Sequence, residues 1–288
     1  MIGNSIIKLE GVDVFQQKHL VLSNVNLHID KGDFVWLIGQ TGSGKSSLLK
    51  VIYGDIGITT GGGHAVGYDL KKLSVNEVPF LRRKLGIVFQ DFQLLTDRSI
   101  EENLRFVMRA TGWADKNLIT ERTLDVLEKV GLRSKVKKMP HELSGGEQQR
   151  VVIARALIND REIILADEPT GNLDPDTSEE IVLLLKQISQ SGTAVLIATH
   201  DYHIIRAFPS RIIKCENGKV LEVIPQTTCF QKVEIRNGQL RGNFKASLSK
   251  GVFRHEMDPY NGQFISHERM EQYILHVKQN NINAFRTC

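Results

Sequence analysis

Only three cysteines occur in the 288 residues: Cys215, Cys229 and Cys288. They are odd in number and scattered, without the spacing of metal ligands. Neither a disulfide framework nor a zinc site is expected, and reduced thiols in a cytoplasmic protein are the expectation. Long apolar runs are also missing; none approaches the roughly 18 residues of a membrane span. Met1-Ile2-Gly3-Asn4-Ser5 lacks the basic and apolar regions of a signal peptide. Most of the chain has no excess of one charge sign. Net charge is +4, from 37 Lys/Arg and 33 Asp/Glu; residues 225–288 hold 9 and 5 of these, leaving 28 and 28 for residues 1–224. A neutral body does not read as a nucleic-acid clamp. The weakly basic C-terminal stretch is suited to a membrane surface or another protein. With 41% hydrophobic and 24% charged residues, a folded chain of one large domain or two small ones is expected.

The most informative stretch is Gly39-Gln40-Thr41-Gly42-Ser43-Gly44-Lys45-Ser46, which fits the G-x-x-x-x-G-K-[ST] phosphate loop. Phe34-Val35-Trp36-Leu37-Ile38 before it reads as a buried strand. Ser46-Ser47-Leu48-Leu49-Lys50-Val51-Ile52 reads as a helix starting where the loop ends. Glycines let backbone N–H groups approach phosphate oxygens, and the helix N-terminus adds partial positive charge. Lys45 is placed to reach the β- and γ-phosphates, and the Ser46 hydroxyl to sit on Mg²⁺.

Along the chain, Ile7, Leu9, Leu20, Leu22, Val25, Leu27 and Ile29 suggest short antiparallel strands, with Phe15 in the turn between them. Taken alone, Phe15 reads as a core aromatic. Gly61-Gly62-Gly63 reads as a hairpin turn before Ala65-Val66-Gly67-Tyr68. Gly86-Ile87-Val88-Phe89 is a buried strand ending at Gln90. Residues 100–110 and 120–131 carry helical spacing. Ser144-Gly145-Gly146-Glu147 opens a further helix as a capping box. The box does not explain two adjacent glycines in a first turn, where they weaken a helix; close approach of an anion does. Ile163-Ile164-Leu165-Ala166 is an apolar strand ending in Asp167 and Glu168. With a phosphate loop upstream, Asp167 reads as a Mg²⁺ ligand and Glu168 as the base that orients and deprotonates the attacking water. Asp174 before Pro175 reads as a helix N-cap. Ala194 to Thr199 is another strand, ending at His200-Asp201, and Asn217-Gly218 marks a hairpin. Gly39, Gln90, Asp167, Glu168 and His200 each follow a strand end. In an open parallel sheet such residues meet in one crevice.

These residues resemble the ATP-binding-cassette (ABC) ATPases over residues 5–224. Leu143-Ser144-Gly145-Gly146-Glu147-Gln148-Gln149-Arg150 matches the signature of that family. Gln90 matches its Q-loop glutamine, Asp174 its D-loop aspartate and His200 its switch histidine. Phe15 falls where the family has an adenine-stacking aromatic, usually Tyr. The resemblance implies a P-loop α/β fold with an antiparallel β subdomain and an inserted helical subdomain at about residues 91–150. Residues 225–288 form a small appended element in which Val233 to Leu240 suggests a hairpin and Ser266 caps a helix carrying Met270, Tyr273, Ile274 and Val277.

The family also implies a Mg²⁺-dependent ATPase in which two copies close head to tail around two ATP molecules. One copy supplies Phe15, residues 39–47 including Gln40, Thr41, Gly42, Ser43, Lys45, Ser46 and Ser47, together with Gln90, Asp167, Glu168 and His200. The other supplies Ser144, Gly145 and Gly146, and Asp174 is also counted among the implied nucleotide-binding residues. Ser46, Gln90 and Asp167 are the implied Mg²⁺ ligands, and Glu168, His200 and Gln90 the catalytic set. Residues 166–174 resemble the subgroup that works with lipoprotein-release, macrolide-efflux and cell-division membrane subunits, and residues 78–91 most resemble its cell-division members. That subgroup implies an integral membrane partner, a place on the inner face of the cell membrane, control of cell-wall hydrolases, and no direct contact with nucleic acid. A lipoprotein-release or macrolide-efflux subunit is the alternative, and a soluble switch acting on nucleic acid or the ribosome a second.

Overall fold

The computed structural model describes residues 5–223 and four short strands beyond them. The chain divides into two units, Met1–Val223 and Ile224–Cys288. The first unit begins with two long strands, β1 (Ser5–Gln16) and β2 (His19–Asp30), each of 12 residues. Their register pairs Leu9 with Leu27 and Val14 with Leu22. Alternation turns Ile7, Leu9, Val12 and Val14 and the facing Leu22, Val25, Leu27 and Ile29 inward, all buried. Phe15 lies in β1, paired with Leu20, and not in the turn, which falls at residues 17–18.

Next come β3 (Phe34–Ile38), α1 (Lys45–Ile52), β4 (Gly62–Ala65) and β5 (Tyr68–Asp69). The glycine run at 61–63 is therefore not the hairpin turn. Gly62 and Gly63 lie in β4 opposite Glu10 and Leu9, and the turn falls at Val66-Gly67. Packing explains the strand: a Cβ on Gly63 would come within 2.7 Å of Ile58 and 2.8 Å of Leu9. Helix α2 (Val78–Arg83) and strand β6 (Leu85–Val88) follow, then α3 (Ile100–Ala110), α4 (Lys116–Lys129) and α5 (Gly145–Leu157). The unit closes with β7 (Ile163–Asp167), α6 (Pro175–Gln190), β8 (Ala194–Thr199), α7 (Tyr202–Ala207), β9 (Arg211–Glu216) and β10 (Lys219–Val223). Asn217 and Gly218, at φ 50° and 72°, make the expected β9–β10 hairpin turn.

Two sheets result. The antiparallel one runs β2-β1-β4-β5; the six-stranded one runs β10-β9-β3-β8-β7-β6, parallel except for edge strand β10. Central strands are apolar on both faces, as a sheet covered on both sides requires. Phe34, Trp36, Ile38, Ile164, Ala166, Val195 and Ile197 pack with the helices α3 to α7. Val35, Leu37, Ile163, Leu165, Leu196 and Ala198 pack with α1 and the antiparallel sheet. Trp36 is fully buried, and its indole N–H donates to the Phe208 carbonyl at 2.9 Å. Helix α2 was not expected from the sequence. It is short, starts at a proline-bearing turn, and is set by Ser74 and Glu77, whose side chains bond at 2.6 Å.

In the second unit, Glu234–Arg236 and Gln239–Arg241 pair antiparallel, as do Ser247–Leu248 and Gly251–Val252. The helix expected after Ser266 lies outside the described residues.

Candidate active site

Register brings the predicted residues to one edge of the six-stranded sheet. Ile38 pairs with Thr199, Asp167 with Ala198, and Val88 with Ala166. The loop after β3, His200 after β8, Glu168 after β7 and Gln90 after β6 therefore leave adjacent strands at the same, carboxyl end.

The loop at 39–44 is shaped by glycine. Gly39, at φ 154°, could not carry a Cβ, which would come within 2.4 Å of both the Cys215 carbonyl and the Ser43 hydroxyl. Helix α1 then starts at Lys45 with Gly44 as N-cap, with no side-chain cap and no acidic residue in its first turn. By contrast α3, α4, α5, α6 and α7 are capped by Ser99, Asp115, Ser144, Asp174 and Asp201. The first-turn N–H groups of α1, unpaired within the helix, are aimed at the loop's interior, the geometry of an anion site. Gln40, Thr41, Gly42 and Ser46 are exposed at its rim, and Ser47 is buried beneath.

Lys45 is only 6% exposed. Its Nζ donates to the carbonyls of Gly39 (2.7 Å) and Gln40 (3.3 Å) and lies 3.7 Å from Glu168 Oε1. The same Glu168 oxygen stands 2.7 Å from His200 Nδ1. Glu168 has φ 46°, a left-handed conformation costing a non-glycine residue on the order of 1 kcal/mol. Its N–H donates to Ala198 O (2.9 Å), and its carbonyl accepts from Gly171 N (3.1 Å). The backbone is thus pinned on both sides, which keeps the carboxylate pointing at the phosphate loop. Burial raises the Asp167 pKa, the Ser46 hydroxyl and the Lys45 charge working against it. Asp167 Oδ1 is buried without a partner.

An unpartnered carboxylate oxygen beside a serine hydroxyl fits Mg²⁺, which takes one or two carboxylates and completes its shell with phosphate and water. Among the described residues no cluster of three or more His, Cys, Asp or Glu could hold a metal by itself. Gln90 is tied to Asn172: Gln90 Nε2 donates to Asn172 Oδ1 (3.5 Å), and Asn172 Nδ2 donates to Gln90 O (3.3 Å). Asn172 was not singled out in the sequence, and no local pattern marks it.

Phe15 is half-buried at the far end of β1 and belongs to neither core cluster, so the core role suggested by its position alone does not hold. The signature residues stay apart from the phosphate loop within one chain. Ser144 Oγ accepts from Glu147 N (3.2 Å), while Ser144 N donates to Glu147 Oε2 (3.0 Å), completing the expected box. Gly146 is buried, and a Cβ there would come within 2.4 Å of the Thr177 methyl, a packing reason for glycine beside the anion one. Asp174 accepts from Thr177 N at 2.9 Å, and this cap holds its pKa below the usual carboxylate range.

Comparison with known proteins gives the same picture. The family profile described as ABC transporter matches residues 22–171. The cell division ATP-binding protein FtsE of Streptococcus pneumoniae serotype 2 is 41% identical over 218 residues, 75% of this chain and 94% of that protein. FtsE of Mycobacterium tuberculosis is 44% identical over 200 residues, covering 69% and 86%. Among solved structures, the dimeric post-hydrolysis ATP-binding cassette MJ0796, bound to ADP and Pi, superposes with a TM-score of 0.66 at 36% identity, covering 75% of this chain and 97% of that one. CbiO1 of Clostridium perfringens, part of the ABC transporter complex cbiONQ, gives 0.70 at 28% identity, covering 76% and 87%. A second profile, glycosyl hydrolases family 2 TIM barrel domain, matches residues 233–288. That span is far shorter than the about 250 residues of a complete barrel. The uncapped helix start over a glycine-shaped loop, the acids at the end of β7 and the match through residues 22–171 agree: this chain belongs to the ABC transporter family, as a nucleotide-binding, ATP-hydrolysing cassette.

Proposed function

We propose that this chain is the Mg²⁺-dependent ATPase subunit of a cell-division complex, working with an integral membrane subunit that resembles FtsX. The observation that carries the reading is the near-complete span of the FtsE relatives, 94% of the Streptococcus pneumoniae protein at 41% identity, over a site whose phosphate loop, acids, Gln90 and His200 meet at one sheet edge. Among the described residues no helix is long and apolar enough to cross a membrane.

In this reading residues 39–47 cradle the phosphates. Lys45 exchanges its contacts with Gly39 and Gln40 for phosphate oxygens. Phe15, free of the core, stacks on the adenine. Ser46, Asp167 and Gln90 hold Mg²⁺, which supplies neutralisation of phosphate charge. Glu168, its backbone already fixed, accepts the proton of the attacking water, and His200 orients Glu168 and reaches the γ-phosphate. A second copy supplies Ser144, Gly145, Gly146 and Asp174 and shuts water out of the site. Hydrolysis removes the γ-phosphate that joins the halves. A cleft of about 280 Å³, lined by Leu85, Ile87, Phe89, Val107, Arg155 and Arg161, lies next to the Gln90 segment and offers the membrane subunit a seat. Cycling of ATP on the inner face of the cell membrane then controls cell-wall hydrolases on the other side.

The test is an affinity pull-down from native membranes with Glu168→Gln protein and ATP. Recovery of an FtsX-like membrane protein is expected. Recovery of a lipoprotein-release or efflux subunit would keep the ATPase chemistry and replace the partner; soluble nucleic-acid complexes would overturn the membrane role.

A further inference from the structure

Gln90 and the signature Ser144 belong to different elements, and one side chain joins them. Arg155 projects from the last turn of α5, the helix that Ser144 caps. Its Nη1 donates to the Gln93 carbonyl at 2.6 Å and its Nη2 to the Phe92 carbonyl at 3.1 Å. Among the described residues these two carbonyls have no other hydrogen-bond partner, and no carboxylate lies within ion-pair distance of Arg155. Burial lowers the guanidinium pKa. Gln93, whose carbonyl Arg155 holds, has a left-handed backbone at φ 49°.

The segment is anchored on both sides of this grip. Towards the site, Asn172 brackets Gln90. Away from it, Asn103 of α3 is buried and spends its whole amide on the loop. Its Oδ1 accepts from Leu95 N (2.7 Å), and its Nδ2 donates to the carbonyls of Leu95 (3.0 Å), Arg98 (3.2 Å) and Ser99 (3.0 Å). Residues 90–93 therefore lie between these anchors, tied to Asn172 at one end and to α5 at the other. At 1.5 Å per residue, Ser144 and Arg155 sit about 17 Å apart along one stiff helix.

We infer that Arg155 is a positioning residue that couples the Gln90 loop to the signature end of α5. A displacement of residues 90–93 on nucleotide binding is passed through the two hydrogen bonds to α5 and moves Ser144, Gly145 and Gly146 toward the nucleotide of the second copy. The inference rests on the roles proposed for Gln90 and Ser144. Lysine cannot replace the fork, because an ammonium is a point donor; methionine keeps the apolar stem without the donors.

The experiment uses the full chain with Arg155→Lys and Arg155→Met, each alone and in the Glu168→Gln background. Fluorescent ATP titration of the monomer is expected to stay within threefold of the parent. Turnover is expected to fall roughly tenfold or more with KM changed less than threefold, the size of losing one hydrogen bond from a charged donor. In the Glu168→Gln background the ATP concentration for half-maximal dimerisation, read by sedimentation velocity, is expected to rise roughly tenfold. A purely structural role would lower ATP and ADP affinity together and raise that midpoint only in proportion to the lost ATP affinity. Unchanged kcat and an unchanged midpoint would overturn the inference while leaving the ATP-sandwich reading intact. Failure of Glu168→Gln itself to dimerise with ATP would instead sink that reading. Should both variants fail to fold, hydrogen exchange on the Glu168→Gln chain decides: residues 90–99 and 144–157 are expected to change protection together on adding ATP, and a change confined to 90–99 would overturn the coupling.

Discussion

Helix α1 opens at Gly44 with no side-chain cap, whereas α5 opens at Gly145 behind a complete box of Ser144 and Glu147. Both starts are glycine-rich, yet the glycines answer different demands. In the 39–44 loop the demand is conformational: Gly39 takes a backbone geometry closed to other residues and lies against the Cys215 carbonyl. At α5 the backbone is helical, and the demand at Gly146 is space beside Thr177. The uncapped start leaves its N–H groups for a ligand from its own chain's site. The boxed start has already used Glu147 N, and what remains to face a second copy is the Ser144 hydroxyl hydrogen and the N–H groups of two glycines. A helix end with open donors is a binding site; a capped one is a structural end that can also be presented to a partner.

The strongest way to break this comparison is Gly39→Ala. The new Cβ meets a backbone carbonyl that cannot rotate away, so the loop has to rearrange. Nucleotide affinity, read by fluorescent ATP titration, is expected to fall roughly 100-fold, about 3 kcal/mol. Binding within threefold of the parent would show that the loop is not the phosphate cradle.

A smaller effect sharpens the other half. Gly146→Ala drives a methyl against Thr177, whose hydroxyl is held by Asp174 and resists rotation. Overpacking of about 1–3 kcal/mol is partly offset by the roughly 1 kcal/mol gained on replacing glycine in a helix. A net loss of about 1 kcal/mol in urea unfolding is expected. Adding Thr177→Ser removes the clashing methyl and keeps the hydroxyl, so the double variant is expected to return to within about 0.5 kcal/mol of the parent. ATPase activity of the double variant is expected to stay low if the second copy's nucleotide approaches Gly146. Activity recovering together with stability would reduce Gly146 to a packing residue.

Much of this was legible along the chain because the signals are local. The apolar runs at 163–166 and 194–199 are strands, and the spacing at 100–110 is a helix with those bounds. The phosphate loop, the acids after β7 and the signature are contiguous patterns. What escaped depends on contacts between distant segments. Gly62 and Gly63 look like a turn until Leu9 and Ile58 are seen to need the space of a side chain. Phe15 looks like core until its end of β1 is seen to project past both clusters. Asn172 and Arg155 carry no local signature, because the backbone groups they hold lie 62 to 82 residues away.

The central claim is that Glu168, pinned at φ 46° and 2.7 Å from His200, is the group that accepts the proton of the attacking water. Single-turnover hydrolysis of saturating ATP by the parent and by Glu168→Gln tests it most directly, since the amide keeps the shape and loses the base. Hydrolysis is expected to slow by roughly 100-fold or more with ATP still bound. Turnover within a few-fold of the parent would contradict it and move the base elsewhere in the site.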